Sequence, residues 1–426
     1  MPSPVDGRLL DDLEARGLVA VSTDRDALQA HLSAGPTTFY CGFDPTAPSL
    51  HHGNLLQLVT MRRLQQAGHS PLALVGGSTG LIGDPKLTGE RNLNPADVVA
   101  GWVERVAEQV TRFLDLEGPA AAVMVNNLDW TADVGVLEFL RDIGKHFPVN
   151  RMLDRETVRA RLDSGISYTE FSYVLLQSMD FLELHRRYGC TLQIGGSDQW
   201  GNITAGVELV RRADGDRVHA LATPLVTKAD GTKFGKTESG TVWLDAELTS
   251  PYAFYQFWLN AEDARVGHYL QLFSFRPLGE IEELEAEGRA QPAGRAPQRA
   301  LAHDVTTLVH GSADAAAAEQ AAVALFGRGD LGSLPEPTLR AALRETPHVE
   351  VDVGLTMPSI AHLLLATGLA DSRSAARRTI TDGGAYVNNE RVTDPEATLT
   401  ERQLLHRRWV VLRRGKRNVA GVEIRR

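Results

Sequence analysis

The stretch TTFYCGFDPTAPSLHHGNLLQLVTMRRLQQAGHSPLALVGG, residues 37–77, constrains the fold more than any other part of the chain. Its first seven residues are β-branched and aromatic, which predicts a strand. DPTAPS follows as a loop with two prolines, and Ser49 or His51 is placed to begin a helix. Leu55, Leu58, Val59 and Leu64 then recur at helical spacing until Gly68 stops them. PLALVGG is a short apolar run ended by glycines, as in strands buried on both faces. Strand, helix and strand in this order imply parallel pairing, because parallel neighbours need a crossover. The alternation continues with helical 97–114, apolar 121–127, helical 134–144, helical 170–187 and a strand at 190–200 that runs into a Gly-rich turn. The expected class is α/β up to about residue 225.

Beyond SPYAFYQFWLN the pattern becomes helical, over 251–330, with little strand signal. LGSLPEPT reads as the start of a linker, 331–356, with LRAALRE as a possible short helix inside it. A small α+β unit is expected over 357–426. It begins with two short helices, SIAHLLLATGL and SRSAARRTITDG, each stopped by glycine. A strand pair around Asn-Asn and another around Arg-Gly-Lys follow.

A chain of 426 residues is long enough for two or three such domains. Cys41 and Cys190 cannot make a disulfide framework, and no CxxC or HExxH pattern calls for zinc. There is no apolar run of membrane-spanning length and no signal-peptide pattern, so a cytoplasmic protein without a membrane partner is expected. Net charge is −10, yet residues 401–426 carry nine Arg or Lys against two Glu, a local balance of +7. An acidic body with a basic end points to local contact with a polyanion.

Two stretches carry chemistry. In HHGN, 51–54, an imidazole stands at a strand-to-helix junction, where free backbone N–H groups and the helix dipole favour an anion. Gly53 lets a flat ring approach the backbone, and Asn54 offers an amide to a hydroxyl or ring oxygen. Two adjacent histidines are poorly placed to share one metal. TKADGTKFGKTESG, 227–240, contains GKT but is not a P-loop, because that motif needs Gly where Asp230 stands. It reads instead as a glycine-flanked loop that carries Lys233 and Lys236 as mobile charges for phosphate. Further on, Arg373, Arg377 and Arg378 share one expected helix, while Arg413, Arg414, Lys416 and Arg417 surround a hairpin turn. Two basic clusters in one small unit suit an RNA backbone.

CGFDPTAPSLHHGN resembles the HIGH signature of class I aminoacyl-tRNA synthetases, and KFGKT resembles their KMSKS signature. ALVGGSTGLIGDP, GISYTEFSYVLLQSMDFLEL, LQIGGSDQWGNITAG and LVTKADGTKFGKTESG narrow the resemblance to the bacterial tyrosyl-tRNA synthetase family, over nearly the whole chain. The resemblance implies a Rossmann-like nucleotide-binding catalytic domain over 1–225. It further implies a KMSKS-like loop and connector over 226–250, an α-helical anticodon-side domain over 251–330 and an S4-like RNA-binding domain over 357–426. It implies that tyrosine is activated with ATP to tyrosyl-adenylate and transferred to the terminal adenosine of tRNA, with no enzyme nucleophile. Thr46, His51, Asn54, Lys233 and Lys236 are then the catalytic positions. Tyr40 and Asp180 match residues that bind the substrate phenol; Asp84, Tyr173 and Gln177 match those that bind its ammonium. Cys41, Gly42, Asp44, Gly53, Gly196 and Asp198 join His51, Asn54 and the two lysines around ATP. Mg²⁺ is expected with the ATP phosphates, with no protein ligand assigned, and a homodimer is implied.

The chain departs from the HIGH pattern at His52, usually aliphatic, and at Asn54, usually His. Read as residues alone, Tyr40 in its strand and Asp180 beside Phe181 and Leu182 could equally be structural. A tryptophanyl relative would lack the Tyr/Asp pair for a phenol. A small-molecule nucleotidyltransferase would lack KFGKT and the basic end. A noncatalytic RNA-binding protein would have lost His51 or the lysines.

Overall fold

TTFYCGF does form a strand, and five others join it in one sheet. These are β1 (Val21–Ser22), β2 (Thr38–Phe43), β3 (Ser70–Val75), β4 (Val123–Asn126), β5 (Leu192–Gly196) and β6 (His219–Thr223). The order across the sheet is β1-β6-β5-β2-β3-β4. All neighbours are parallel except β1, which runs antiparallel to β6 at the edge. Helices His52–Gln66, Ala96–Thr111 and Trp200–Ala213 make the crossovers between β2 and β3, β3 and β4, and β5 and β6. β3 is buried along almost its whole length, which is why its sequence is continuously apolar instead of alternating. This computed structural model describes residues 5–85, 93–227, 234, 236–237, 240–327, 329–353 and 356–425.

From β2 the chain turns one way to β3 and β4; β5 and β6 lie on the other side. This reversal is where open α/β sheets leave a crevice at their strand ends. β2 and β3 pair along their full length, Thr38 to Phe43. β2 and β5 pair through Phe39–Leu192 and Tyr40–Gln193, then part. Helix Tyr168–Tyr188 starts on a Ser167 cap and ends at Gly189, whose φ of 63° a side chain would strain. It buries Phe181, Leu182 and Leu184 against the sheet core, where the Tyr40 ring meets Phe181 edge-on at 5.2 Å.

The chain divides into two compact units, one running to Asp245 and including Glu262–Glu285, the other comprising Ala246–Ala261 and everything from Ala286. The helical stretch expected over 251–330 is therefore shared. Helix Val266–Phe273 packs on His52–Gln66 in the first unit. In the second unit, Pro251–Leu259 packs against Ala296–His310 and the alanine-rich Ser312–Ala324, whose small buried side chains allow close approach. Residues 134–144, expected as one helix, are helical from Val136 to His146 but change pitch on the way: an α turn at Val136–Glu138 passes into a π-helical turn at Phe139–Ile143 and a 3-10 turn at Gly144–His146. Ile143, with Val134 and Phe139, packs on the core, whereas Val136 and Leu137 are 74% and 83% exposed.

The second unit ends in a five-stranded sheet of order β11-β10-β12-β13-β9. Its strands are β9 (His348–Asp352), β10 (Ala385–Val387), β11 (Glu390–Val392), β12 (Trp409–Arg414) and β13 (Asn418–Arg425). Asn388 and Asn389, at φ 49° and 68°, make the β10–β11 turn, as asparagine does where both central residues need positive φ. Helices Ile360–Ala366 and Arg373–Thr381 are followed by Gly368 and Gly383 at positive φ. Among its described residues, the segment read as a linker holds helix Glu336–Arg344 and β9, which pairs in parallel with β13.

Candidate active site

Where β2 and β5 part, a cavity of about 570 Å³ opens at their C-terminal ends. Tyr40, Cys41, Gly42, Asp44, Thr46, His51, Gly53, Asn54, Asp84, Tyr173, Gln177, Asp180, Gly196 and Asp198 all line it. One strand end, one helix tip, one long helix and the β5 turn thus converge, although 158 positions separate Tyr40 from Asp198 in the sequence numbering. Lys233 lies outside the described residues. Lys236 opens the two-residue strand β7 (Lys236–Thr237), which pairs with β8 (Gly240–Thr241); its side chain is outside the description too.

The closed end of the cavity is built around Asp180, which is 1% exposed. Its Oδ2 accepts from Asn127 Nδ2 at 3.0 Å and its Oδ1 from Trp130 Nε1 at 2.9 Å. Burial pushes this carboxyl up to about 7; the two donors pull the other way, and the charges of Asp44 and Glu183 add to the push. Beside it stands Tyr40, whose buried hydroxyl has no hydrogen-bond partner. Burial, and next the Asp180 charge, hold that phenol well above its usual range. A buried hydroxyl left unpaired is costly in a folded protein, unless a bound group supplies the missing bond.

A second cluster follows along the same wall. Tyr173 Oη donates to Asp44 Oδ2 at 2.6 Å, and Thr79 Oγ1 donates to Asp44 Oδ1 at 2.7 Å. Asn127 Nδ2 also reaches Thr79 Oγ1 at 3.0 Å, so one chain of hydrogen bonds runs from Asp180 to Tyr173. Asp44, expected around ATP, is thus engaged between the two ends. Asp84 accepts from Gln199 Nε2 at 2.9 Å and from Asn202 Nδ2 at 3.1 Å, and Arg155 donates to Asn202 Oδ1. No Lys or Arg is among the described residues lining the cavity, while Asp44, Asp84 and Asp180 all face it. Such a field suits a cationic group. Asn127, Trp130, Gln199 and Asn202 were missed by sequence reading. Their one local signal is that each follows the C-terminal end of a parallel strand.

The open end is the tip of helix His52–Gln66. His51 caps it: Nδ1 accepts from Gly53 N at 3.0 Å, and Asn54 Oδ1 accepts from His51 N at 3.1 Å. A Cβ on Gly53 would run into the His51 ring, so glycine is required for this fold-back as well as for open access. With Nδ1 accepting, the ring proton sits on Nε2. Burial holds the His51 pKa below its ordinary value, leaving a neutral donor. Asn54, with its oxygen engaged, keeps Nδ2 as a donor. Cys41 is no nucleophile: burial pushes its thiol up to about 12.

The first signature lies beside the segment that follows the second. His52 N donates to Val242 O at 3.1 Å, Leu244 N donates to Leu50 O at 2.9 Å, and His51 bridges to Trp243. The segment that follows KFGKT is therefore laid antiparallel along residues 50–52.

In the second unit, Arg373 and Arg378 are exposed on their helix, and Lys416 and Arg417 are exposed at the β12–β13 turn. Arg377 pairs with Glu396 at 3.0 Å, and Arg414 donates to Leu369 O at 2.8 Å. Arg413 departs from expectation: it is 8% exposed, lies 4.0 Å over the Tyr386 ring and donates to Gly415 O. Arg413 and Tyr386 are cross-strand partners, and the pairing turns this arginine into packing.

A parallel sheet parted at its switch point, with a histidine-capped helix tip and the segment that follows KFGKT laid beside it, defines a class I aminoacyl-tRNA synthetase. The family model described as tRNA synthetases class I (W and Y) matches residues 32–327, and a tyrosine–tRNA ligase SYY-like C-terminal domain matches 339–421. A tyrosine–tRNA ligase of Kineococcus radiotolerans is 65% identical over 418 residues, covering 97% of this chain and 98% of its own length. One of Streptomyces avermitilis is 61% identical over 98% of this chain and 99% of its own. Among solved structures, a C-terminally truncated mitochondrial tyrosyl-tRNA synthetase of Coccidioides posadasii is 32% identical, with a TM-score of 0.65 over 73% of this chain and 90% of that one. The chain belongs to the tyrosine–tRNA ligases of class I. Its reaction is activation of tyrosine with ATP and transfer of the tyrosyl group to tRNA.

Asp180 holds its proton more tightly in the folded chain than in the unfolded one, so ionising it opposes folding. Its contribution to stability therefore falls as pH rises from the ordinary value of 3.8 to about 7. Urea midpoints across that window should show the advantage of the wild type over Asp180→Asn shrinking as pH rises. A constant difference would contradict the account of this carboxyl.

Proposed function

We propose that the substrate phenol enters between Tyr40 and Asp180, and that the rest of the cavity places the amino acid for attack on ATP. The observation that carries this reading is the buried, unpartnered Tyr40 hydroxyl beside a buried carboxylate. A substrate phenol can accept from the Tyr40 hydroxyl and donate to Asp180 beside its two protein donors, whereas phenylalanine would leave the Tyr40 hydroxyl unpaired. Asp84, Tyr173 and Gln177 hold the ammonium in the field of the three aspartates. The tyrosine carboxylate oxygen then bonds to the α-phosphorus as the α–β anhydride bond breaks and pyrophosphate leaves. In the second step the ribose hydroxyl of the terminal adenosine of tRNA attacks the acyl carbon, and AMP departs.

Catalysis is positioning and charge stabilisation. His51 Nε2–H and the Thr46 hydroxyl donate to phosphate oxygens at the helix tip, and Lys233 and Lys236 supply positive charge from the KFGKT segment. Losing one such donor is expected to raise the barrier by about 3 kcal/mol. Cys41, Gly42, Gly53, Gly196, Asp198 and the Asn54 amide surround the ribose and adenine. Among the described residues no group of three or more His, Cys, Asp or Glu side chains forms a metal cage. Mg²⁺ is proposed to arrive with the nucleotide, bound by phosphate and water. ATP–pyrophosphate exchange measured with each of the twenty amino acids should respond to tyrosine alone, and Asp180→Ala should abolish it. Comparable exchange with phenylalanine, or near-normal exchange in the variant, would overturn the assignment.

For tRNA, Arg373, Arg378, Lys416 and Arg417, which are among the exposed cations of the C-terminal sheet domain, are proposed to meet backbone phosphate. Replacing Arg373 and Arg378 by Ala should weaken tRNA binding and flatten its salt dependence by about one unit of log–log slope for each phosphate no longer neutralised. An unchanged slope in a filter-binding titration would remove them from the interface.

We further infer a homodimer working in the cytoplasm. Exposed large apolar side chains crowd into residues 123–168, among them Val136, Leu137, Leu140, Val149 and Tyr168, and a second copy of the chain is the occupant they fit. Sedimentation should find a dimer that Leu137→Asp dissociates; a wild-type monomer at micromolar concentration would refute this.

A further inference from the structure

Asp84 stands on the wall between two cavities. It lines the main one, and it also lines a much smaller one behind it, together with Arg155 and Asn202. Neither Arg155 nor Asn202 is among the residues that line the main cavity. Asn202 is 5% exposed and lies in the first turn of helix Trp200–Ala213, with Gln199 just before that helix. Arg155 comes from a separate segment, held to the interior on either side by the buried Met152 and Val158. A Cβ on Gly201 would stand 3.2 Å from the Arg155 guanidinium, so the bare backbone there lets the arginine lie close to the helix end.

The hydrogen bonds among these side chains run in one direction. Arg155 Nη2 donates to Asn202 Oδ1. Asn202 Nδ2 donates to Asp84 Oδ1 at 3.1 Å and to Gln199 Oε1 at 2.8 Å. Gln199 Nε2 donates to Asp84 Oδ2 at 2.9 Å. An arginine has donors only, so the Asn202 oxygen must turn toward it. That leaves the Asn202 nitrogen for Asp84 and Gln199. Gln199 accepts with its oxygen, and its own nitrogen is thereby turned to Asp84. Reversing either amide would set an oxygen against the carboxylate. Each Asp84 oxygen is thus held by a different amide. A carboxylate has about four acceptor sites, so these two bonds orient it without exhausting it.

We propose that Arg155 is a positioning residue for the substrate ammonium: acting through Asn202 and Gln199, it fixes the orientation of the Asp84 carboxylate at the cavity wall. The inference rests on reading Asp84 as a holder of that ammonium. The ammonium is not a reacting group, so binding energy lost here is lost equally before and at the transition state. KM for tyrosine should therefore rise with kcat nearly unchanged. The bonds to Asp180 come from Asn127 and Trp130, a separate set, so recognition of the phenol should not respond.

The test uses the full-length enzyme with Arg155→Met, Arg155→Lys, Asn202→Ala, the double variant Arg155→Met/Asn202→Ala, and Asp84→Ala. Dissociation constants are measured for tyrosine and for 3-(4-hydroxyphenyl)propanoate, which is tyrosine without its ammonium. Binding of the second ligand also reports a folded pocket. One hydrogen bond to a charged group corresponds to about tenfold in affinity. Arg155→Met should therefore weaken tyrosine about tenfold and leave the analogue unchanged, and Arg155→Lys, which keeps a donor, should recover most of the loss. Asn202→Ala should show the same dependence on the ammonium, so the result does not hang on one variant folding. The double variant should bind tyrosine no worse than the weaker single one, because both act along one path. An equal loss for both ligands, an unchanged tyrosine affinity in Arg155→Met, or losses that multiply in the double variant would each overturn the proposal. An Asp84→Ala enzyme that bound the two ligands in the wild-type ratio would instead overturn the reading of Asp84 itself.

Discussion

The parting of β2 from β5 after the Tyr40–Gln193 pair is the constraint on which the site depends. Each strand keeps its outer neighbour, β3 or β6, so its backbone hydrogen bonds remain satisfied on that side. The inner side opens, and the residues that follow, Cys41 to Asp44 and Ile194 to Asp198, face one another across a gap. Small residues at Gly42, Gly195 and Gly196 keep the gap from being filled by the strands' own side chains. Sheet topology thus makes the cavity, and the long helix Tyr168–Tyr188 closes its floor with Tyr173, Gln177 and Asp180.

Electrostatics then divides this space. Three carboxylates occupy one end, and neutral donors reach each of them. The opposite end has a helix tip and a neutral imidazole, with no lysine or arginine among its described lining residues. The backbone bonds from 50–52 to 242–244 bring the segment that follows KFGKT to the same place. The cavity is thereby acidic at one end and presents a helix tip at the other.

Much of this was legible in the sequence because it is local. The strand–helix–strand unit at 37–77, the Asn-Asn turn and the glycine stops each depend on a few neighbouring residues. What was not legible depends on tertiary partners. Asn127 and Trp130 look like ordinary loop residues until Asp180 arrives from helix Tyr168–Tyr188. β9 alternates between exposed and half-buried residues and pairs with a strand about seventy positions later, so nothing nearby distinguishes it from linker. Residues 134–144 carry the apolar side chains of a helix, but these divide between core and solvent, and the helix they form changes pitch along its length. Arg413 counted as one more basic residue, although its cross-strand neighbour Tyr386 draws it inward.

The cap on helix His52–Gln66 binds two properties that are usually independent. The hydrogen bond that nucleates the first turn also decides which nitrogen of His51 bears the proton, because Gly53 N–H occupies the other. Position 54 completes the loop, because the Asn54 side-chain oxygen accepts from the His51 amide. Heritable variation at 53 or 54 would thus be filtered twice, through helix nucleation and through tautomer choice, and a substitution neutral for one would still be exposed by the other.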